Sequence, residues 1–85
     1  MLSVAEHNRL FWRSRRGMLE LDVLLVPFVK EAFPLLSEEN QARYKKLIDC
    51  EDPDLFRWFM QKEQPDDPEL AIIVEMILNH VPASS

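Results

Sequence analysis

Few side chains in this sequence are of types that do chemistry unaided, and their spacing decides which chemistry is open to them. Two histidines, His7 and His80, lie near opposite ends of the chain with no Cys or carboxylate cluster at metal-ligand spacing beside either. Each reads as a solvated helix residue. Cys50 is the single cysteine, which leaves no intramolecular disulfide framework and marks a helix-end or core thiol rather than a nucleophile. Ser3, Ser14, Ser37, Ser84 and Ser85 sit in no nucleophile motif. Glu51, Asp52 and Asp54 imitate a metal site, but acids in the first turn of a helix account for them better. With one glycine in the chain, neither a GxGxxG loop nor a P-loop is available to cradle nucleotide phosphates. No active site emerges, and an enzyme is not expected.

The one concentrated feature is 12-WRSRRGMLELD-22, where the only glycine, Gly17, follows Arg13, Arg15 and Arg16. Residues 1–16 carry four arginines against Glu6, whereas residues 17–85 carry six basic and fourteen acidic side chains. A basic segment therefore sits on an acidic body. On a continuous helix Arg9, Trp12, Arg13 and Arg16 share one face, and Glu20 lies four residues beyond Arg16. In that Arg-before-Glu order an intrahelical pair is worth only about 0.2–0.5 kcal/mol. If Gly17 breaks the helix, the two charges flank a turn and can face a common partner. Trp12 beside the guanidinium groups has the composition of an interface anchor. The plainer account is that the arginines complement a helix C-terminus while Trp12 packs on the next helix. A nucleic-acid surface is disfavoured by the net charge of −5.

The elements that hold this segment are legible from spacing and punctuation. Eighty-five residues, 47% of them apolar, make one domain with a modest core. Scarce glycine argues against tight β-turns, and the expected class is all-α, a compact five-helix bundle. The helices are expected at about 4–16, 18–33, 38–49, 53–62 and 68–80, with a disordered tail at 82–85. Ser3 and Glu6 fit a capping box, and Gly17 the C′ position of the first helix. The second helix carries Met18, Leu21, Leu25, Phe28, Val29 and Ala32 on one side. Leu19, Val23, Leu24 and Val26 fill the others, as expected of the most buried helix, with a kink at Pro27 and an end at Pro34. Ser37 caps the third helix, whose Ala42, Tyr44, Leu47 and Ile48 face inward. Asp52-Pro53 and Asp67-Pro68 each read as N-cap followed by first helical residue. The fourth helix then buries Leu55, Phe56, Phe59 and Met60, and the fifth Leu70, Ile73, Val74, Ile77, Leu78 and Val81. The longest apolar run, 23-VLLVPFV-29, falls far short of the ~18 residues of a membrane span. The lone cysteine and the absence of a signal-like N-terminus point to the cytoplasm.

The run 15-RRGMLELD-22 contains Arg-Gly-x-x-Glu, and with 26-VPF-28 and 50-CEDPDLFRWFM-60 it closely resembles the succinate dehydrogenase flavinylation factor family. The resemblance spans about residues 6–78. It implies a small helical protein that binds the flavoprotein subunit of succinate dehydrogenase, and that of fumarate reductase, and promotes covalent attachment of FAD to a histidine there. It places Arg16, Gly17 and Glu20 at the flavoprotein interface, with Trp12, Met18, Arg9 and Arg13 as flanking contacts. FAD would be held by the partner, not bound tightly by this chain. Such proteins have also been described as the antitoxin of a toxin–antitoxin pair, which leaves an antitoxin as the alternative.

Overall fold

The computed structural model describes residues 4–80, and these form five α-helices with one 3₁₀ turn and no strand among them. The order is α1 (Val4–Ser14), α2 (Leu19–Glu31), the 3₁₀ turn (Phe33–Leu35), α3 (Glu38–Ile48), α4 (Asp52–Phe59) and α5 (Pro68–Asn79). The proposed cap Ser3, the inward residue Val81 and the tail 82–85 lie outside the described residues.

α2 is the element the others pack around: it meets α1, α4 and α5, while α3 lies against α1 and α5. Its Leu21, Leu25, Phe28 and Val29 are buried at the spacing of one helical stripe, with Met18 and Ala32 packed at the edges. The expectation that α2 is buried all round does not hold. Leu19 is 74% and Val23 54% exposed, so the helix is central on one side and faces outward on the other. α2 continues through Pro27 and ends at Glu31, before Pro34, which opens the 3₁₀ turn instead.

α3 begins where its cap predicts, with the Ser37 hydroxyl accepting from the Asn40 N–H at 3.2 Å. Tyr44, Leu47 and Ile48 are buried, but Ala42 is exposed because it falls on the opposite side of the helix. α5 has the other textual cap in working order, since Asp67 accepts from the Glu69 N–H at 2.9 Å. Leu70, Ile73, Val74 and Ile77 are buried and Leu78 is half-buried. Lys46–Asp67 and Arg43–Glu69 ion pairs stitch α3 to the start of α5. Such exposed pairs guide register more than they stabilise. At the far end of α5, His80 is not solvated as expected. Its Nε2 lies 3.3 Å from the Glu31 carboxylate and its ring meets Phe28 edge-on, tying the ends of α5 and α2 together.

α4 stops at Phe59, three residues earlier than its sequence suggests, and the cause is a backbone motif with no glycine to announce it. Gln61 takes φ +60°, its N–H bonds the Trp58 carbonyl, and the Lys62 N–H reaches back to the Arg57 carbonyl at 3.0 Å. That pair of bonds is a Schellman closure, normally built on glycine. Leu55 and Phe59 are buried, Phe56 is half-buried and Met60, beyond the helix, is exposed. A left-handed conformation costs a non-glycine residue about 1 kcal/mol. Gln61→Gly should therefore raise stability by roughly 0.5 kcal/mol once the added freedom of the unfolded chain is subtracted, as measured by urea unfolding.

Tyr44 is the largest fully buried side chain, stacked on Phe28 and tilted against Phe33. Its hydroxyl shares a hydrogen bond of 2.7 Å with the Ser14 hydroxyl, which also donates to the Leu10 carbonyl at 2.8 Å. Burial pushes the phenol up to about 12 from its ordinary 10, against a lowering by the bond to Ser14. A raised folded-state pKa means stability that is intact below pH 10 and declines as pH climbs toward 12, because the unfolded phenol ionises first. Tyr44→Phe should flatten that decline, which is on the order of 2 kcal/mol, in unfolding curves taken on either side of this window.

Candidate functional site

The helix expected to run to residue 16 stops at Ser14, because the Arg15 N–H closes onto the Trp12 carbonyl and the Arg16 N–H is taken by Asp22, so the α-helical ladder does not continue. Ser14 itself is fully buried and bonded to Tyr44. Residues 15–18 form the connection. Gly17 has φ +80°, a left-handed conformation, but it sits three residues past the helix end rather than immediately after it. An added Cβ would meet nothing within 4 Å, so the glycine is required by its backbone angle and not by a crowded neighbour.

Arg16 builds the turn from behind. Its side chain is only 15% exposed and reaches inward, where Nε donates to Asp52 Oδ1 at 2.9 Å. One terminal nitrogen donates to the Arg13 carbonyl at 2.9 Å and the other to the Cys50 carbonyl at 2.5 Å. The guanidinium thus neutralises a carbonyl of the last turn of α1, one just past the end of α3, and a carboxylate in the first turn of α4. The two carbonyl contacts suit the C-terminal dipoles of α1 and α3, and at the start of α4 it is the Asp52 carboxylate that suits the dipole while its charge pairs with Arg16. The Arg16 backbone N–H is taken by Asp22 Oδ1 at 2.7 Å. Beside it, Arg13 pairs with Asp49.

The two halves of the Arg-Gly-x-x-Glu motif therefore point apart. Arg16 is turned into the protein, whereas Glu20 is exposed in the first turn of α2 and makes no side-chain hydrogen bond or ion pair among the described residues. Asp52 was expected to cap α4, but it is the first residue of that helix. Glu51 occupies the cap position without a side-chain bond, and the Asp52 carboxylate serves Arg16. Trp12 is 61% exposed, with the Arg15 guanidinium 5.5 Å over its ring and Phe11 edge-on against it. Met18 is half-buried as the residue that starts α2, packed on the core. Arg9 is exposed and shares a shallow groove with Arg13, Glu6 and Lys45 on the α1–α3 side of the turn. Of the expected contact residues, Trp12, Gly17 and Glu20 lie outward around one turn, Arg9 and Arg13 line its flank, and Met18 and Arg16 support it.

Three supporting residues escaped the sequence reading. Asp22 is an acid inside an apolar run, a placement that should have marked it for a specific backbone donor. Ser14 and Tyr44 are thirty positions apart, and no local pattern pairs them. Cys50 is the helix-end thiol it was read as. Burial, then Asp54 and Asp49, push its pKa up, and its Sγ lies 3.7 Å from the Lys46 carbonyl. Among the described residues no group of His, Cys, Asp or Glu is arranged to hold a metal, and every buried side-chain polar atom has a partner.

The arrangement is an outward-facing turn, braced from within, on a small helical scaffold. Residues 8–81 match the family model described as the flavinator of succinate dehydrogenase, and the chain belongs to that family. It is 58% identical over 81 residues to the FAD assembly factor SdhE of Pseudomonas aeruginosa, covering 95% of this chain and 96% of that one. The same-named proteins of Pseudomonas putida and Idiomarina loihiensis are 54% and 49% identical over 81 and 79 residues. Those alignments cover 95% and 93% of this chain, and 96% and 88% of the relatives. The family expected from the motifs is the family found.

If Arg16 and Asp52 form one unit, their substitutions should not add. Arg16→Gln and Asp52→Asn should each lower stability, and the double variant should lose less than the sum, with a coupling on the order of 1 kcal/mol in a urea double-mutant cycle. Additive losses would contradict the latch.

Proposed function

We propose that this chain is an FAD assembly factor that binds the flavoprotein subunit of succinate dehydrogenase through the turn around Gly17 and promotes covalent attachment of the flavin. The observation that carries the reading is the turn's construction: Arg16 and Asp22 brace it from inside while Glu20 and Trp12 are left outward. A family whose name is the flavination of this enzyme gives the partner its identity. Arg9 and Arg13 supply cationic flanks, Gly17 lets the partner's backbone approach closely, and Met18 sets the start of α2. In this reading Arg16 contributes by shaping the turn rather than by touching the partner.

FAD stays on the flavoprotein. The chain's single glycine is used for a turn with no phosphate-cradling run of N–H groups, and its buried polar atoms are already satisfied. Bond formation to the flavin then belongs to the partner, with this chain holding it in an attachment-competent geometry. The fumarate reductase flavoprotein is the second client in this reading, docking on the same surface. The site of action is the cytoplasm, in keeping with a lone neutral thiol and with no described helix long and apolar enough to cross a membrane. No observation here favours the antitoxin alternative.

The test is coexpression of the flavoprotein subunit in a strain lacking its native factor, with covalent flavin read by fluorescence on a denaturing gel. Glu20→Ala should cut flavinylation at least tenfold at unchanged abundance and fold, because its carboxylate has no internal role. Gly17→Asn, which tolerates φ > 0, should fold with little loss of stability, and Gly17→Arg should cost about 1 kcal/mol and obstruct docking. Normal flavinylation by a folded Glu20→Ala variant would sink the assignment.

A further inference from the structure

The outward side of α2 is apolar where a monomer would be expected to carry polar groups. Leu19, Val23 and Val26 recur at helical spacing, and with Phe11 of α1 and Pro27 they line an open groove of about 450 Å³ whose rim carries Arg15. Leu19 and Val23 are among the most exposed large apolar residues of the described chain. Pro27 has no N–H for the Val23 carbonyl, so the helix also forgoes a backbone bond on this side. Contiguous exposed apolar surface on a small soluble domain marks a recognition site.

Two cations frame the groove. The Arg15 guanidinium lies over Trp12 at one end, and the Lys30 ammonium lies 5.4 Å from the Phe11 ring centroid at the other. The Asp22 carboxylate at the rim is occupied by the Arg16 N–H. The chemistry that fits is an apolar segment bearing acidic side chains. Continuity identifies its owner. Leu19 adjoins Glu20, and Arg15 and Trp12 adjoin Gly17, so a body docked on the turn extends directly over the groove.

We infer that the α1–α2 groove is the apolar half of the docking surface and receives an acid-flanked apolar segment of the same flavoprotein subunit. This rests on the proposed function and adds to the polar contact of Glu20 an apolar contact that runs from Leu19 along α2. Glu20 gives the polar, orienting contact. Leu19 and Val23 give the apolar area that holds the complex together.

The test measures binding of the purified flavoprotein subunit to the purified chain by calorimetry, with Val23→Asp, Leu19→Asp and Leu35→Asp compared to wild type. Leu35 is 85% exposed in the 3₁₀ turn, away from the groove, and serves as the control. All three positions are solvent-facing, and circular dichroism and thermal midpoints verify their folding. The inference predicts at least tenfold weaker binding for Val23→Asp and for Leu19→Asp, and less than a twofold change for Leu35→Asp. Tight wild-type binding retained within twofold by both groove variants would overturn the groove assignment while leaving the turn intact. A wild-type chain that fails to bind the flavoprotein at all would overturn the functional reading itself. Sedimentation as a dimer that Val23→Asp disperses, with flavoprotein binding unaffected, would instead give the groove to a second copy of the chain and overturn the proposal.

Discussion

The structure depends on one guanidinium. Arg16 sits where α1 ends, α3 has just ended and α4 begins, and it satisfies an acceptor from each of the three. Helix C-terminal ends leave carbonyls unsatisfied, and a single planar cation with several donors serves two of them while pairing with the Asp52 carboxylate. Lysine cannot substitute, because a point charge lacks the fork that lets two carbonyls and a carboxylate be served in one plane. The connection between α1 and α2 needs this brace, since it has few side-chain contacts of its own and contains a glycine whose surroundings are empty.

This accounts for why two sequence blocks, 15-RRGMLELD-22 and 50-CEDPDLFRWFM-60, belong together. They are far apart in the chain, yet Arg16 donates to both the Cys50 carbonyl and the Asp52 carboxylate, and Arg13 pairs with Asp49. The second block is the wall against which the first is set. Asp52 looked like a helix cap because Asp before Pro at a helix start usually is one. What the local pattern could not contain was the guanidinium delivered from the α1–α2 connection. Asp67, in the same Asp-Pro context, caps its helix through Oδ1 while its other oxygen pairs with the exposed Lys46.

The helices themselves were legible because apolar periodicity and cap residues are local properties. The misplacements share a cause in non-local or unannounced geometry. α4 is closed by a left-handed glutamine, which carries no sequence signal comparable to glycine, and α1 is cut short where Asp22 of the next helix takes the Arg16 N–H. α2 was read as buried on all sides because composition reports that a helix is apolar without reporting what is available to cover it. With α1, α4 and α5 packed against it, only one side of α2 is covered. The candidate site was legible as a place, around Gly17, but the division of labour within it was not. Facing inward or outward depends on where Asp52 and Asp22 lie.

That division changes what the motif means physically. Arg-Gly-x-x-Glu reads as a unit of recognition, with opposite charges on either side of a turn. In the folded chain it is a hinge between two tasks, with Arg16 and Gly17 setting the backbone and Glu20 projecting from it. A loss of function on replacing Arg16 is therefore expected even if that side chain never meets another protein, because Glu20, Trp12 and the apolar side of α2 keep their relative positions only while the turn is held. In the proposed reading the chain acts through the shape and charge it presents, and the hydrogen bonds that brace this connection hold that shape.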